Sequence, residues 1–445
     1  MAIVVPIMAE LAESSQVSRV GNLYNDEPTI EEEIVQTANV ASEVALSRPT
    51  IIKNSVGDSV EITMDNWRDY WDETKVTAVE DTNGVLVPVP IGYASSKIQK
   101  EVDGEWQYCE RTVDTGFVIY EGSEEPEGKI QVSNNVIMWS TNEEAEINSP
   151  STKRIQYARN QWVWIPVYDS SAIYGVDSNG RKWGKLYDFA TITDNKPAKL
   201  NWTENSTTGV MSITSSTGNK EPDVLKTGDR DNGIGQYITE EERNELNKEM
   251  KNTYENIIAS IEKYGGFYIG RYETGSVSGT ARVVKGNSNL SGEWYKLYQK
   301  SRYLNGMNNN VSTTMIYGSL WDATLQWLVD SGNKTYNDLK ATGTWGNSYN
   351  SSFKYINASG GVSTKPKQTY TSVSTLTYDY PTIITKSTII PSGSSEYTNA
   401  NNIYDIAGNV IEWNVENGVE GTRVRTWRKL FWWGEDCMGE SWEVF

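Results

Sequence analysis

Short apolar runs along the chain predict several strands. Residues 160–167 are rich in aromatic and β-branched residues, the composition of a strand that is covered on both faces. Residues 85–90 and 116–120 are bounded by Gly, Pro and Asn, as strands often are. Residues 267–274 alternate between apolar and polar positions, which predicts a further strand. These runs indicate a β-rich body that begins near residue 80.

Capping boxes followed by apolar stripes predict two helices. Thr239 and Glu242 form the first box, and an apolar stripe on one helical face follows until two glycines end it. Ser319 and Asp322 form a second box, before a helix that carries Trp321. Two helices among many short strands favour an α+β fold.

Composition divides the chain into three predicted parts. Residues 1–80 form an acidic N-terminal arm or small domain, residues 81–426 form the main domain, and residues 427–445 form an atypical C-terminal tail. Residues 331–401 are rich in Ser, Thr, Asn and Gly, which predicts long surface loops. We find no internal repeat of fixed period, so a solenoid or propeller is disfavoured.

Charge and residue usage exclude several classes of function. The net charge of -19 repels nucleic acid, so we expect no nucleic-acid partner. The chain has no histidine, which removes Ser-His-Asp and Cys-His catalysis and most zinc sites. Only Cys109 and Cys437 are present, so a disulfide framework is excluded and a single bridge stays open. No apolar run reaches the roughly 18 residues of a membrane span, so none is predicted in this chain.

Residues 402–413 combine a turn signal, two carboxylates and a large aromatic residue in the sequence NIYDIAGNVIEW. This segment resembles the N-x-Y-D-x-x-G-N-V-x-E-W signature of the formylglycine-generating enzyme (sulfatase-modifying factor) family. The strand at 162–166, the strand at 267–274 and the Trp321 helix are similar to the same family in the same order. The resemblance implies a C-type-lectin-like α+β fold with short twisted antiparallel strands, few helices and long loops.

The resemblance also bears on activity. Enzymes of this family convert a substrate cysteine to formylglycine with a copper-binding cysteine pair near the C-terminus of the domain. This chain lacks that pair, because Cys437 stands alone in its region and Cys109 lies far upstream. Relatives without the pair are binding and display proteins, including variable phage and bacterial proteins diversified by diversity-generating retroelements.

We therefore expect a non-catalytic ligand-binding or surface-display protein whose ligand is a protein or a saccharide. The expected location is extracellular, on a cell surface or on a virion. Two alternatives stay open. One is a formylglycine-generating-type oxidase that acts on protein cysteine, and the other is a structural subunit of a pilus or virion.

The resemblance implies a calcium site in the signature, because calcium binds carboxylate and carbonyl oxygens. The implied ligands are two side chains and two main-chain carbonyls, those of Asp405, Glu412, Gly408 and Val410. The alternative needs no metal: Asp405 would cap a turn, and Glu412 would pair with an arginine such as Arg271 or Arg423.

The C-terminal tail departs from the family pattern. The expected Arg-Gly-Gly-Ser-aromatic segment is missing, and four tryptophans stand in the tail instead: Trp427, Trp432, Trp433 and Trp442. They are candidate ligand-binding residues, because exposed aromatic residues often contact partners. They could equally pack on the core. A frame change near Arg425 is a further alternative, because one choice of codons for residues 426–431, read one nucleotide later, encodes the missing segment.

Overall fold

The protein is described here from a computed structural model. The described residues are 48–102, 105–122, 129–133, 136–140, 160–200, 202–213, 239–277, 280–284, 294–304, 310–348, 351–357, 362–367, 389–409, 413–417 and 423–425.

Most of the described strands are short and pair as antiparallel hairpins. In chain order they are β1 (Ile51–Lys53), β2 (Ser59–Glu61), β3 (Val76–Glu80), β4 (Leu86–Pro90), β5 (Tyr93–Ser95), β6 (Lys97–Val102), β7 (Glu105–Glu110), β8 (Val118–Glu121), β9 (Lys129–Ser133), β10 (Val136–Ser140), β11 (Gln161–Pro166), β12 (Tyr174–Val176), β13 (Lys182–Gly184), β14 (Tyr187–Thr193), β15 (Lys196–Lys199), β16 (Trp202–Glu204), β17 (Met211–Ile213), β18 (Gly266–Gly270), β19 (Thr274–Val277), β20 (Thr280–Val283), β21 (Phe353–Ile356), β22 (Val362–Lys365), β23 (Asn399–Ala400), β24 (Ile403–Tyr404), β25 (Trp413–Asn417) and β26 (Arg423–Arg425).

Few helices accompany these strands in the described ranges. The α-helices are α1 (Trp67–Tyr70), α2 (Glu240–Tyr264), α3 (Trp294–Ser301), α4 (Gly318–Asp330) and α5 (Tyr336–Lys340). Short 3₁₀ helices occupy Val113–Thr115, Ser170–Ala172, Thr342–Thr344 and Glu396–Thr398. Within the described part of the chain, no helix combines the length and apolar character needed to cross a membrane. The architecture is α+β, as the sequence predicted.

The strand predicted near 162–166 is an inner strand of the largest described sheet, an antiparallel sheet with the order β18-β11-β8-β5. Trp164 of β11 lies opposite Tyr268 of β18, with ring centroids 4.9 Å apart. On the other side Trp162 pairs with Ile119 of β8. All six residues of β11 are buried. Because successive side chains point to opposite faces of a sheet, both faces of this strand are covered.

The first predicted capping box is confirmed at the start of α2. The Thr239 hydroxyl accepts the N–H of Glu242, and the Glu242 carboxylate accepts the N–H of Thr239. Gly265 ends the helix in the left-handed conformation, and its N–H donates to Ile261. The apolar stripe of α2 is buried in the core, and the helix packs on β1 and β18. Burial of each large apolar side chain in this stripe stabilises the fold by about 1.5–3 kcal/mol relative to leaving it exposed.

The second predicted capping box is wrong, although the helix is present as α4. No side-chain hydrogen bond caps its first turn. The Asp322 carboxylate accepts the main-chain N–H of Tyr187 at 2.8 Å. The Ser319 hydroxyl lies 3.1 Å from the Tyr254 hydroxyl. Both side chains are buried, so contacts with the core compete with the local cap and replace it.

The predicted boundary between residues 80 and 81 falls inside a hairpin. β3 pairs with β4 along its whole length, from Val76 opposite Pro90 to Glu80 opposite Leu86. Upstream residues, such as Trp67 and Trp71, are buried in the same core. Residues on the two sides of position 80 therefore pair with each other and share one core. Residues 1–47 of the predicted arm and the whole predicted C-terminal tail, residues 427–445, lie outside the described residues.

The strand predicted over 267–274 is interrupted. β18 ends at Gly270, and the next strand begins at Thr274. Between them, the N–H of Arg271 donates to the Gln161 carbonyl at 2.9 Å, and the Arg271 carbonyl accepts the N–H of Tyr404 at 2.8 Å. The chain therefore leaves the sheet where it contacts the signature segment.

Candidate functional site

The signature begins with a tight turn between β23 and β24. Asn401 and Asn402 are its two central residues, with φ of 48° and 64°. Positive φ at both central positions is what a type I′ turn requires, and Asn adopts it at lower cost than most residues. We call residues 401–409 the signature loop. All of its residues except Gly408 are buried, and none is helical.

Two asparagine amides fasten the signature loop to a segment almost 300 residues earlier. Asn401 Nδ2 donates to the Asp114 carbonyl at 2.8 Å. Asn402 Nδ2 donates to the carbonyls of Thr115 and Gly116 at 2.9 and 3.0 Å. The approach is so close that a Cβ on Gly116 would lie 2.0 Å from the Asn401 carbonyl oxygen. Only glycine fits there, and its φ of 94° also favours glycine.

Two arginines converge on the same turn. Arg111 and Arg271 each donate to Asn402 Oδ1, at 3.2 and 3.3 Å. Arg271 is 1% exposed, and its guanidinium carbon lies 5.4 and 5.5 Å from the ring centroids of Tyr272 and Tyr404. Stacking on aromatic rings offsets part of the cost of burying this charge. The turn is thus held from several sides by segments that connect strands of the core.

Asp405 is fully buried within the signature loop. Its Oδ2 accepts the N–H of Gly393 at 2.8 Å and the hydroxyl of Ser392 at 3.1 Å. Burial raises the pKa of Asp405 to about 6, against the opposing effect of these hydrogen bonds. In the described residues the carboxylate fixes the turn at 392–393, the role that the metal-free alternative assigned to it.

The end of the signature loop is held by an amide network. Gly408 forms an isolated bridge with Asn347. The Asn409 side chain donates to Glu273 Oε2 at 2.6 Å, and its Oδ1 accepts from Asn347 at 2.8 Å and from the N–H of Ile390 at 2.9 Å. The loop is therefore a rigid, buried element rather than an exposed one.

The predicted calcium site is only half described. Asp405 and Gly408 lie in the signature loop, whereas Val410 and Glu412 lie outside the described residues. Hydrogen-bond donors already occupy Asp405 Oδ2. In the described ranges no cluster of three or more acidic, cysteine or histidine residues could hold a metal ion. Those residues do not complete a site by themselves, and calcium stays a prediction.

The aromatic ligand-binding candidates are not described. Trp427, Trp432 and Trp433 all lie in residues 426–445, outside the described residues, as does Cys437. Cys109 is in β7, and its side chain is not described.

A different feature, an open cleft of about 740 Å³, lies beside α2. We call it the α2 cleft. Four separate parts of the chain line it: the β1–β2 turn, residues 169–176, the β16–β17 hairpin and the C-terminal half of α2. The lining residues are Lys53, Asn54, Ser55, Gly57, Asp169, Ser170, Ser171, Tyr174, Gly175, Val176, Glu204, Gly209, Ala259, Glu262 and Lys263. Its volume lies within the roughly 300–1,000 Å³ of small-molecule sites.

The carboxylates of the α2 cleft are held by defined partners. Glu262 accepts the Tyr174 hydroxyl at 2.7 Å and pairs with Lys182 at 3.6 Å. Glu204 pairs with Lys185 at 3.0 Å, and the Lys185 side chain is only 5% exposed. These contacts fix the direction in which each carboxylate presents its oxygens.

The third carboxylate and the tyrosine complete the lining. Asp169 accepts the N–H of Ser171 at 2.9 Å and its hydroxyl at 2.8 Å, the pattern of an N-cap on the 3₁₀ helix. Burial and the hydrogen bond to Glu262 raise the pKa of Tyr174 well above its usual value. The phenol therefore stays protonated at neutral pH and acts as a donor.

Sequence reasoning did not find the α2 cleft. Its residues come from segments up to about 200 positions apart, and they form no spaced motif. The local signals were present only as turn residues, such as Asn54 and Asp169, which cap turns in many proteins. Pairing of Glu262 with Lys182, and of Glu204 with Lys185, depends on tertiary structure.

This chain matches no protein-family model, no curated protein and no solved structure. Its membership of the formylglycine-generating enzyme family therefore stays an expectation from the sequence.

Proposed function

We propose that this protein is a non-catalytic ligand-binding or display protein on a C-type-lectin-like scaffold of the formylglycine-generating type. It would act outside the cell, on a cell surface or on a virion. The ligand would bind in the α2 cleft. The observation that carries this proposal is the cleft itself, an open concavity whose charged groups are fixed in place by neighbouring side chains.

The scaffold part of the proposal rests on the signature. Residues 402–409 match the family motif, and Asn402, Asp405 and Asn409 all hold separate chain segments together. A motif whose polar residues have such contacts is more specific than a match of letters alone. A rigid frame that carries binding residues on turns is the usual arrangement in binding proteins.

The non-catalytic part rests on chemistry. The chain has no histidine and lacks the cysteine pair of the enzymes. In the α2 cleft, the Tyr174 hydroxyl donates to Glu262 and burial raises its pKa, which disfavours the phenolate that would act as a nucleophile. Glu262 also pairs with Lys182, and Glu204 pairs with Lys185, so each carboxylate already has a fixed partner. Groups held in this way suit recognition better than proton transfer.

One experiment separates binding from oxidase activity. The protein is incubated with copper and a cysteine-containing peptide, and the mass of the peptide is measured. We expect the cysteine to be unchanged. Conversion of the cysteine to formylglycine would refute the proposal in favour of an oxidase.

A second experiment addresses the structural-subunit alternative. Sedimentation velocity is measured over about a hundredfold range of protein concentration. A binding module acting alone predicts a constant sedimentation coefficient. A coefficient that rises with concentration would indicate self-association and favour a pilus or virion subunit.

A further inference from the structure

The α2 cleft differs in charge from the chain as a whole. The protein carries a net charge of -19, yet the cleft is lined by three carboxylates and two lysines, and two more lysines pair with those carboxylates. Positive and negative groups are therefore close to balance. An anionic ligand would meet the carboxylates and a cationic ligand the lysines, so neither gains from the field of the site.

The lining offers many polar groups and one aromatic ring. Asn54, Ser55 and Ser170 supply amide and hydroxyl groups, and the fixed carboxylates supply acceptors. The Tyr174 ring contributes an apolar surface, with Lys182 Nζ at 4.9 Å from its centroid. Gly57 and Gly209 have open space where a side chain would stand, and the described lining carries no continuous large apolar surface.

We propose that the α2 cleft binds a neutral saccharide, in the form of a short oligosaccharide. This inference rests on the proposed binding function and adds the ligand class. Sugar hydroxyls both donate and accept hydrogen bonds, which matches a lining of carboxylate, hydroxyl and amide groups. The C–H face of a sugar ring packs on an aromatic ring such as that of Tyr174. Balanced charge favours a neutral sugar over a charged one.

The experiment uses a substitution that fills the cleft from its solvent side. Ala259 lies on α2, lines the cleft and is exposed. Ala259→Trp should therefore fill the cleft without disturbing the core. The matched control is Asn252→Trp, because Asn252 is exposed on the same helix two turns earlier and does not line the cleft. Thermal melting of both variants checks that each is folded.

Calorimetric titration is done with maltotriose, cellotriose and tri-N-acetylchitotriose. An anionic trigalacturonate and a cationic chitosan trimer are titrated for comparison. We expect at least one neutral trisaccharide to bind the wild type and Asn252→Trp equally, and Ala259→Trp to weaken binding by about tenfold or more. Tyr174→Phe keeps the ring but loses the hydroxyl, so it should weaken binding by about twofold to tenfold. Binding should change little between about 50 mM and about 500 mM salt.

Several results would overturn the inference. They are no binding of any neutral trisaccharide, equal binding by Ala259→Trp, and tighter binding of a charged trimer that weakens with salt. A peptide pool titrated in parallel separates this inference from the proposed function. Peptide binding that Ala259→Trp blocks would reject the saccharide and keep the binding function. If Ala259→Trp blocks neither ligand, the α2 cleft is not the binding site and both proposals fail.

Discussion

Replacement of Asp405 by asparagine tests the role of the signature loop. Asp405 has φ of 61°, a conformation that asparagine also tolerates, and the two side chains have the same shape. The amide oxygen of asparagine can still accept from Gly393 and Ser392. The substitution therefore removes a charge while it keeps the hydrogen bonds.

The expected magnitude follows from the pKa. Burial raises the pKa of Asp405 from 3.8 to about 6 in the folded protein. The folded state therefore holds a proton that the unfolded state has lost between about pH 4 and pH 6, and this contribution to stability falls as the pH rises through that window. A difference of roughly two pKa units corresponds to about 3 kcal/mol. The side chain of Asp405→Asn stays neutral at every pH. The free energy of unfolding of the variant, relative to that of the wild type, should therefore increase by up to about 3 kcal/mol as the pH rises from about 4 to above 6.

The assay is urea unfolding of both proteins at several values between about pH 4 and pH 7. The difference between the two free energies of unfolding cancels the pH dependence of all titratable groups that the two proteins have in common. A difference that stays constant with pH, or one that moves against the variant as the pH rises, would show that the pKa of Asp405 is not raised in the folded protein.

The wild type and Asp405→Asn also test whether calcium binds at the signature. A calcium ion bound at Asp405 needs the ionised carboxylate, so excess calcium would raise the melting temperature of the wild type and a chelator would lower it. Asp405→Asn would lose that response. A melting temperature that does not change with calcium or with chelator would remove the calcium prediction.

Three further substitutions test the contacts that hold the fold, each by urea unfolding. Gly116→Ala should lower the free energy of unfolding by about 3 kcal/mol or more, because its Cβ would clash with the signature loop. The control Gly180→Ala, at a φ of 79° with open space around it, should lower it by about 1–2 kcal/mol. Equal losses of stability would contradict the close approach of Gly116 to the signature loop. Glu204→Gln should lower the free energy of unfolding by about 1–2 kcal/mol, because it leaves the buried Lys185 without its ion pair. Glu73→Gln, at the exposed pair with Arg68, should lower it by less than about 0.5 kcal/mol. Equal losses would contradict a stabilising role for the Glu204–Lys185 pair. Thr239→Ala should cost about 1 kcal/mol through loss of the cap on α2, and an unchanged stability would argue against it.

Local sequence signals predicted the elements that depend on local chemistry. The Thr239 capping box fixed the start of α2, because cap and partner are three residues apart. The apolar run at 160–167 predicted β11, because a strand buried on both faces needs no polar alternation. The turn signal within residues 402–413 was likewise local, although it did not place the turn at Asn401 and Asn402.

Predictions failed where tertiary contacts decide the outcome. Asp322 was assigned to a helix cap, but its carboxylate accepts the N–H of Tyr187, 135 residues away in sequence. The α2 cleft joins turns and a helix that no sequence spacing relates, so its ion pairs are visible only in the folded chain.

The most direct test of the account is a crystal structure of the protein with the neutral trisaccharide that binds best in titration. We expect sugar density in the α2 cleft, in contact with Tyr174 and within hydrogen-bond distance of Glu262 or Glu204. Density at Trp427, Trp432 or Trp433 instead, with the cleft filled only by solvent, would contradict it.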